Sequence, residues 1–199
     1  MAKILGIGGS PRKDGNSDIL LNYFLRGARN AGATTEEVRL RDYQFQACIG
    51  CEKCRKAKQC IGLQDGMQLI YPKIIEARGL VLISPTHHYN VTAWMKSFID
   101  RLYCYYNFSD DRPRRWSSRL AGQGRKAIVA SIGEQASREE GIGFTLEAMR
   151  LPIEALGYQV TAELPVLGIF DKGGIKEQRQ VLEKAEQLGS QLARLLSST

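Results

Sequence analysis

The sequence predicts an α/β fold: a five-stranded parallel sheet in the order 2-1-3-4-5, with helices on both faces in three layers. Three observations predict it. Strand-like apolar runs alternate with segments of helical period along the 199 residues. Three of the runs, Ile4–Ile7, Leu80–Ile83 and Ala127–Ile132, are almost continuously apolar, as strands covered on both faces must be. Two others, Thr35–Leu40 and Tyr158–Leu164, alternate apolar with polar residues, which suits the two edges.

Ile4–Ile7 opens the fold. A helix over Ser17–Ala31 follows, with Leu20, Leu21, Phe24, Leu25, Ala28 and Ala31 on one face and Asn16 or Ser17 placed to cap it. Thr35–Leu40 is the second strand, and Met67–Ala77 a helix beyond a cysteine-bearing stretch. Leu80–Ile83, a helix over Ala93–Tyr106, Ala127–Ile132, a helix around Phe144–Leu156, the strand Tyr158–Leu164 and a polar-rich helix from Ile175 to about Leu196 complete the alternation. With 43% hydrophobic residues the chain can bury one substantial core and is short for two, so residues 1–199 read as one domain with a cysteine-rich loop at about 46–62.

The first strand starts too near Met1 for a secretory signal, and no apolar run approaches the roughly 20 residues of a membrane span. The expectation is a cytoplasmic protein without a membrane partner. Thiols stay reduced there, so five cysteines argue for metal binding or redox chemistry rather than disulfides. A formal charge of +7 favours acidic partners: a phosphorylated cofactor, an acidic electron carrier or nucleic acid.

Directly after the first strand runs Gly8-Gly9-Ser10-Pro11-Arg12-Lys13-Asp14-Gly15-Asn16-Ser17, leading into the first helix. An open α/β sheet binds anionic ligands at this place. Glycines let backbone N–H groups converge, the helix N-terminus adds partial positive charge, and Ser10, Asn16, Ser17 and Arg12 can donate to phosphate oxygens. Three other motifs fail on this loop: a dinucleotide fingerprint needs glycine at Pro11, a Walker loop needs Gly-Lys-Ser at Gly15-Asn16-Ser17, and a nucleophile elbow needs glycine at Arg12. The plain alternative is a strand-to-helix turn with capping residues.

The run Gly-Ser-Pro-Arg-Lys-x-Gly-Asn-Ser resembles the phosphate loop of the NADPH-dependent FMN reductase and iron–sulfur flavoprotein families, which have the flavodoxin-like fold. Ser84-Pro85-Thr86-His87-His88-Tyr89-Asn90-Val91-Thr92-Ala93, continuing through Lys96 to Phe98-Ile99-Asp100-Arg101, resembles the loop and helix by which those families hold the isoalloxazine ring. Where they commonly place two aromatics and then glycine, this chain has His87, His88 and Tyr89. The resemblance implies FMN held by Ser10, Pro11, Arg12, Gly15, Asn16 and Ser17 on the phosphate side and by Pro85, Thr86, His87, His88, Tyr89 and Asn90 on the ring side. A third loop, at Ser131 and Gly133, is included because the fold places it at the same sheet edge. A histidine beside the flavin would tune its potential; two solvent-facing loop histidines are the alternative.

Cys48-x2-Cys51-x2-Cys54-x5-Cys60 puts four thiols within 13 residues, with Gly50 permitting a tight turn. Four converging thiolates suit a [4Fe–4S] cluster, although the spacing departs from the ferredoxin run. Structural zinc more often draws on two separated cysteine pairs, and a metal-free loop is the third reading. The spacing resembles the compact motif of the iron–sulfur flavoproteins, and by that resemblance all four cysteines are ligands. Cys104 reads as a small packing residue.

Arg112-Pro113-Arg114-Arg115-Trp116, with Arg119, Arg125 and Lys126 nearby, is the densest positive stretch. Asp110 and Asp111 precede it and no recognition helix accompanies it, so it reads as a solvated loop that could dock an acidic redox partner or an NADPH phosphate, and not as a nucleic-acid site. Taken with the resemblance, the expected protein is a flavin-dependent oxidoreductase without a catalytic acid–base residue. It would accept electrons from NAD(P)H or a ferredoxin-type partner and pass them between FMN and the cluster in either order. An NAD(P)H-dependent FMN or quinone reductase without a cluster, a non-catalytic electron carrier and a zinc-stabilised binding protein are the alternatives. The resemblance implies a homodimer or homotetramer; Tyr103, Tyr105, Tyr106 and Phe108 could serve such an interface or the core.

Overall fold

A computed structural model describes residues 2–198. The first half contains β1 (Lys3–Gly8), α1 (Asn16–Asn30), β2 (Thr34–Arg39), the short α2 (Cys54–Ala57), α3 (Met67–Glu76), β3 (Gly79–Pro85) and α4 (Ala93–Arg101). Then come β4 (Tyr106–Phe108), β5 (Trp116–Ser118), β6 (Lys126–Ile132), the short α5 (Arg138–Gly141), α6 (Thr145–Ala155), β7 (Gln159–Val166) and α7 (Arg179–Ser197).

The main sheet has the order β2-β1-β3-β6-β7, and every neighbouring pair is parallel. Counted among these five strands alone, that is the flavodoxin-like order 2-1-3-4-5 that the sequence predicts. The offset in numbering comes from β4 and β5, which form a separate antiparallel hairpin with Tyr106 opposite Ser118 and Phe108 opposite Trp116.

This hairpin corrects two expectations. The helix predicted through Tyr106 ends at Arg101 and gives way to a 3₁₀ turn over Leu102–Tyr105, and the stretch read as a solvated loop runs into a strand. Aromatic packing is the physical reason. The Tyr103 and Phe108 rings stack at 4.7 Å, and Tyr106 meets Trp116 edge-on at 5.4 Å, so alternate residues of the pair share one face.

Strand periodicity splits the core in two. Leu5, Ile7, Leu80, Leu82 and Val129 face α3, α4 and α6, where they meet Met67, Ile70, Met95, Phe98, Leu146 and Met149. Their neighbours Ile4, Val81, Ile83, Ile128 and Ala130 face α1 and α7, against Leu21, Phe24, Leu188 and Leu192. Those two helices touch backbone to backbone: a Cβ on Gly27 would fall 1.9 Å from the Glu186 carbonyl oxygen, and one on Gly189 would fall 1.9 Å from that of Phe24. Because all five strands run the same way, the loops leaving β1, β2, β3, β6 and β7 emerge at one edge of the sheet. That edge carries both candidate sites.

Candidate functional site

The first site begins where β1 ends. Gly9 N–H still donates to Ile83 O of β3, at 2.8 Å, and α1 starts from Gly15 with no side chain closing its first turn. By contrast, α4 is capped by Thr92, whose hydroxyl oxygen accepts from Met95 N–H at 3.2 Å. The first-turn N–H groups of α1 therefore have no side-chain acceptor of their own, which makes them donors for an anion.

The loop is shaped from beneath by a buried ion pair. Asp18 accepts two bonds from Arg41, at 2.7 and 3.0 Å, and also the Asp14 N–H at 2.8 Å. Arg41 donates in addition to Ser10 O at 3.1 Å. Ser10 Oγ accepts the Arg12 N–H, and Thr92 Oγ1 donates to Gly9 O at 2.7 Å, which joins this loop to the one after β3.

Neither Asn16 nor Ser17 caps α1, contrary to the sequence reading. The Asn16 amide is used elsewhere: Nδ2 donates to Asp171 O at 2.9 Å and Oδ1 accepts from Gly173 N–H and Ile175 N–H. Arg12 donates to Phe170 O at 3.0 Å, with its guanidinium 4.8 Å from the Phe170 ring centre. These two side chains draw the loop after β7 over the cleft.

On the opposite wall, His87 and Asn90 exchange backbone bonds of 2.8 and 3.0 Å around a two-residue turn. His88 and Tyr89 both take positive φ, 46° and 63°. Left-handed backbone costs a residue with a side chain about 1–2 kcal/mol, and Tyr89 stands where the resembling families have glycine. The turn is held by its surroundings, since Phe144 N–H donates to Tyr89 O at 2.7 Å. Beside it, the Thr86 hydroxyl lies 3.1 Å from both Ser131 Oγ and Thr145 Oγ1, and Thr86 N–H donates to Ile132 O. Gly133 follows, so close to Gly141 that an added Cβ would sit 1.8 Å from its carbonyl oxygen.

Ser10, Pro11, Arg12, Asn16, Ser17, Pro85, Thr86 and His87 line one open cleft with about 660 Å³ of empty space, its mouth included. Ile132, Glu134, Ile169, Phe170 and Lys172 complete the lining. Gly15, His88, Tyr89, Asn90, Ser131 and Gly133, which the sequence reading also named, do not line it. The sequence reading missed Thr145 and the loop after β7; only Gly168 and Gly173, both at positive φ, mark that loop as a turn region. Partial burial, and then the charges of Arg12 and His88, hold His87 below the ordinary histidine value of 6.5.

The loop after β2 carries the second site. Cys48, Cys51, Cys54 and Cys60 line one cleft with Gly62, Leu63, Arg101 and Tyr103. Cys48 and Cys51 are exposed, Cys54 and Cys60 half-buried. The returning chain presses on the thiols: a Cβ on Gly62 would fall 2.5 Å from Cys51 Sγ. Burial pushes the Cys54 thiol up, and the neighbouring Cys60, Cys48 and Cys51 push it further. Gly50 takes a φ of 65° in the turn expected there. Among the described residues, no three Cys, His, Asp or Glu side chains are gathered tightly enough to hold one metal ion.

Guanidinium groups secure this loop. Arg101, its side chain 1% exposed, grips Asp65 through two bonds of 2.7 and 3.1 Å and donates to Gln46 O at 2.9 Å and Cys60 Sγ at 3.4 Å. Burial works to raise the Asp65 carboxyl, but Arg101 and the N–H groups of Gln46 and Met67 hold it below the usual range. Arg55 and Arg114 both reach Glu52 at 3.2 Å, and Arg119 donates to the carbonyls of Lys58 and Cys104. The basic stretch is thus fastened partly onto the cysteine loop. Cys104 lies buried in the core as the packing residue expected, its thiol pushed up to about 12 by burial.

The model of the NADPH-dependent FMN reductase family matches residues 2–141. A curated iron-sulfur flavoprotein from Archaeoglobus fulgidus is 32% identical over 199 residues, an alignment covering 98% of this chain and 81% of the relative. Among solved structures, a flavone reductase superposes with a TM-score of 0.69 at 17% identity, covering 98% of this chain and 63% of its own. An NAD(P)H:quinone oxidoreductase from Methanothermobacter marburgensis gives 0.67 at 22% identity, covering 96% and 98%. The structural likenesses speak for the fold. The sequence match goes further, because it spans β1 and the loops after β3 and β6 that line the cleft: the chain belongs to the NADPH-dependent FMN reductase family of flavin-dependent oxidoreductases.

Proposed function

We propose that the chain binds FMN in the cleft and a [4Fe–4S] cluster at Cys48, Cys51, Cys54 and Cys60, and passes electrons between them. The observation that carries the FMN site is the start of α1, open to the cleft without a side-chain cap. Its N–H groups with Ser10 and Ser17 would hold the phosphate, Arg12 adding charge. Pro85, Thr86 and the His87–Asn90 turn, backed by Ser131 and Gly133, would hold the ring. His87, held below the ordinary histidine value, would offer the ring a hydrogen-bond donor or acceptor. Four thiols around one cleft, with a buried guanidinium against one of them, suit a cluster that needs four thiolates.

When bound, FMN takes up two electrons and releases them singly, while a cluster carries one at a time. The chain's residues bind, orient and tune; none is needed as a general base. NAD(P)H or a reduced ferredoxin-type carrier is the proposed donor, and a homodimer or homotetramer the proposed assembly. A cytoplasmic location belongs to the same reading; among the described residues no helix is long and apolar enough to cross a membrane.

The test is anaerobic purification followed by iron, acid-labile sulfide, zinc and FMN determination on one sample. About four irons and four sulfides with one FMN per chain support the proposal. FMN without iron or sulfide removes the cluster and leaves a flavin or quinone reductase, a second reading favoured by the exposure of Cys48 and Cys51.

A further inference from the structure

We infer that Arg101 is a positioning residue for the cysteine site. It holds Cys60 and sets the reduction potential of the cluster, with Asp65 acting in the opposite direction. This rests on the cluster reading above. Arg101 is the last residue of α4, and its side chain is almost wholly removed from water. A cation so placed requires compensating partners, which its two terminal nitrogens have.

Three of its four bonds explain a clamp. Gln46 precedes the first cysteine and Asp65 follows the last, so the bonds to Gln46 O and the paired bonds to Asp65 close the loop at its base. The fourth is not needed for closure. It runs from Nη2 to Cys60 Sγ, and among the described residues no other thiol of the four receives a side-chain N–H.

An N–H bond to a ligand sulfur, and a positive charge beside it, both favour the added electron of a reduced cluster and so raise its potential. The Asp65 carboxylate, bonded to the same guanidinium, offsets that charge. One buried pair therefore bears on the potential with both signs, and the two halves can be separated by substitution. Lysine at position 101 keeps the charge but has no planar fork to serve Asp65 and Cys60 together. Asparagine at position 65 leaves the guanidinium uncompensated.

The experiment takes wild type, Arg101→Lys and Asp65→Asn through anaerobic purification, metal, sulfide and FMN analysis, and a redox titration following the cluster by electron paramagnetic resonance and FMN by absorbance. Arg101→Lys is expected to move the cluster midpoint negative by a tenfold change in the reduced-to-oxidised ratio, about 59 mV for one electron. Asp65→Asn is expected to move it positive, and the FMN midpoint stays put in both. Iron-loaded variants that leave the cluster midpoint unmoved, or move it in the same direction, overturn this inference while the cluster reading stands. If Arg101→Lys does not retain iron, the sign of the Asp65→Asn shift decides alone. Wild type without iron and sulfide overturns both readings together.

Discussion

Replacing Arg41 with methionine tests what keeps the phosphate loop in shape. The substitution strands the Asp18 carboxylate, 2% exposed, in the first turn of α1, and it frees Ser10 O from its donor. Removing one partner of a buried pair costs about 3–5 kcal/mol. Asp18 keeps the Asp14 N–H, which places the expected loss near the lower end, about 3 kcal/mol. With a urea slope of roughly 2 kcal/mol/M, the unfolding midpoint of the apoprotein falls by about 1.5 M. FMN affinity, read by quenching of its fluorescence, falls roughly tenfold, or about 1.4 kcal/mol, because a bare carboxylate now faces the phosphate and the loop has lost an anchor. The double variant Arg41→Met/Asp18→Asn removes the charge while keeping an acceptor for Asp14, and should recover at least half of both losses. An Arg41→Met protein within about 1 kcal/mol of the parent, or a double variant less stable than the single, refutes the reasoning.

Gly133→Ala puts a methyl group 1.8 Å from a backbone oxygen that cannot rotate away, and is expected to lower stability by about 2 kcal/mol or more, read as a fall in the thermal midpoint of the apoprotein; an unchanged midpoint contradicts the close approach. In a proton NMR titration His87 should have its midpoint below 6.5, and Arg12→Ala should restore only a minor part of the shift because burial is its largest cause. Since the folded value is depressed, the contribution of His87 to stability is complete above pH 6.5 and is lost as pH falls through the folded value; a midpoint at or above 6.5 counts against the burial described. Cys104, with its thiol pushed up to about 12, should resist iodoacetamide at pH 8 in the folded apoprotein while Cys48 and Cys51 are alkylated, as peptide mass spectrometry will show. Labelling of Cys104 without denaturant would mean that the core opens there.

The sheet was legible because its signal is local. A run such as Leu80–Ile83 can be buried on both faces only in the middle of such a sheet, and the alternation in Thr35–Leu40 marks an edge. The cysteine quartet and the loop from Gly8 to Ser17 were legible because chemistry crowds into short spans. What escaped was carried by partners distant in sequence. Arg125 reads as part of a solvated basic stretch, yet it is buried and held by the carbonyls of Ile74, Ile75 and Ala77; Arg101 stands only as the end of a helix, with nothing in the sequence to show that it is buried against the Asp65 carboxylate. Thr145 reaches Thr86 across 59 residues, and Asn16 reaches the loop after β7 across more than 150; no periodicity announces such a bond. The β4–β5 hairpin escaped for a different reason, since strands of three residues are too short to show a period.

The two sites are fastened by different mixtures of bonds. The walls of the cleft are backbone leaving a packed sheet, anchored by amide-to-carbonyl bonds such as Gly9 to Ile83 and Thr86 to Ile132, with one buried ion pair, Arg41 to Asp18, beneath them. The cysteine loop has one helical turn and is secured by guanidinium bonds to Glu52, Asp65 and the Gln46 and Lys58 carbonyls. Salt at physiological strength screens exposed charges beyond about 8 Å and leaves backbone bonds within a core untouched. The Glu52 pairs, partly exposed, therefore weaken first as ionic strength rises, while the buried Arg101–Asp65 clamp at the base of the loop and the buried Arg41–Asp18 pair beneath the cleft hold, so the loop loosens at its tip before it leaves the sheet edge.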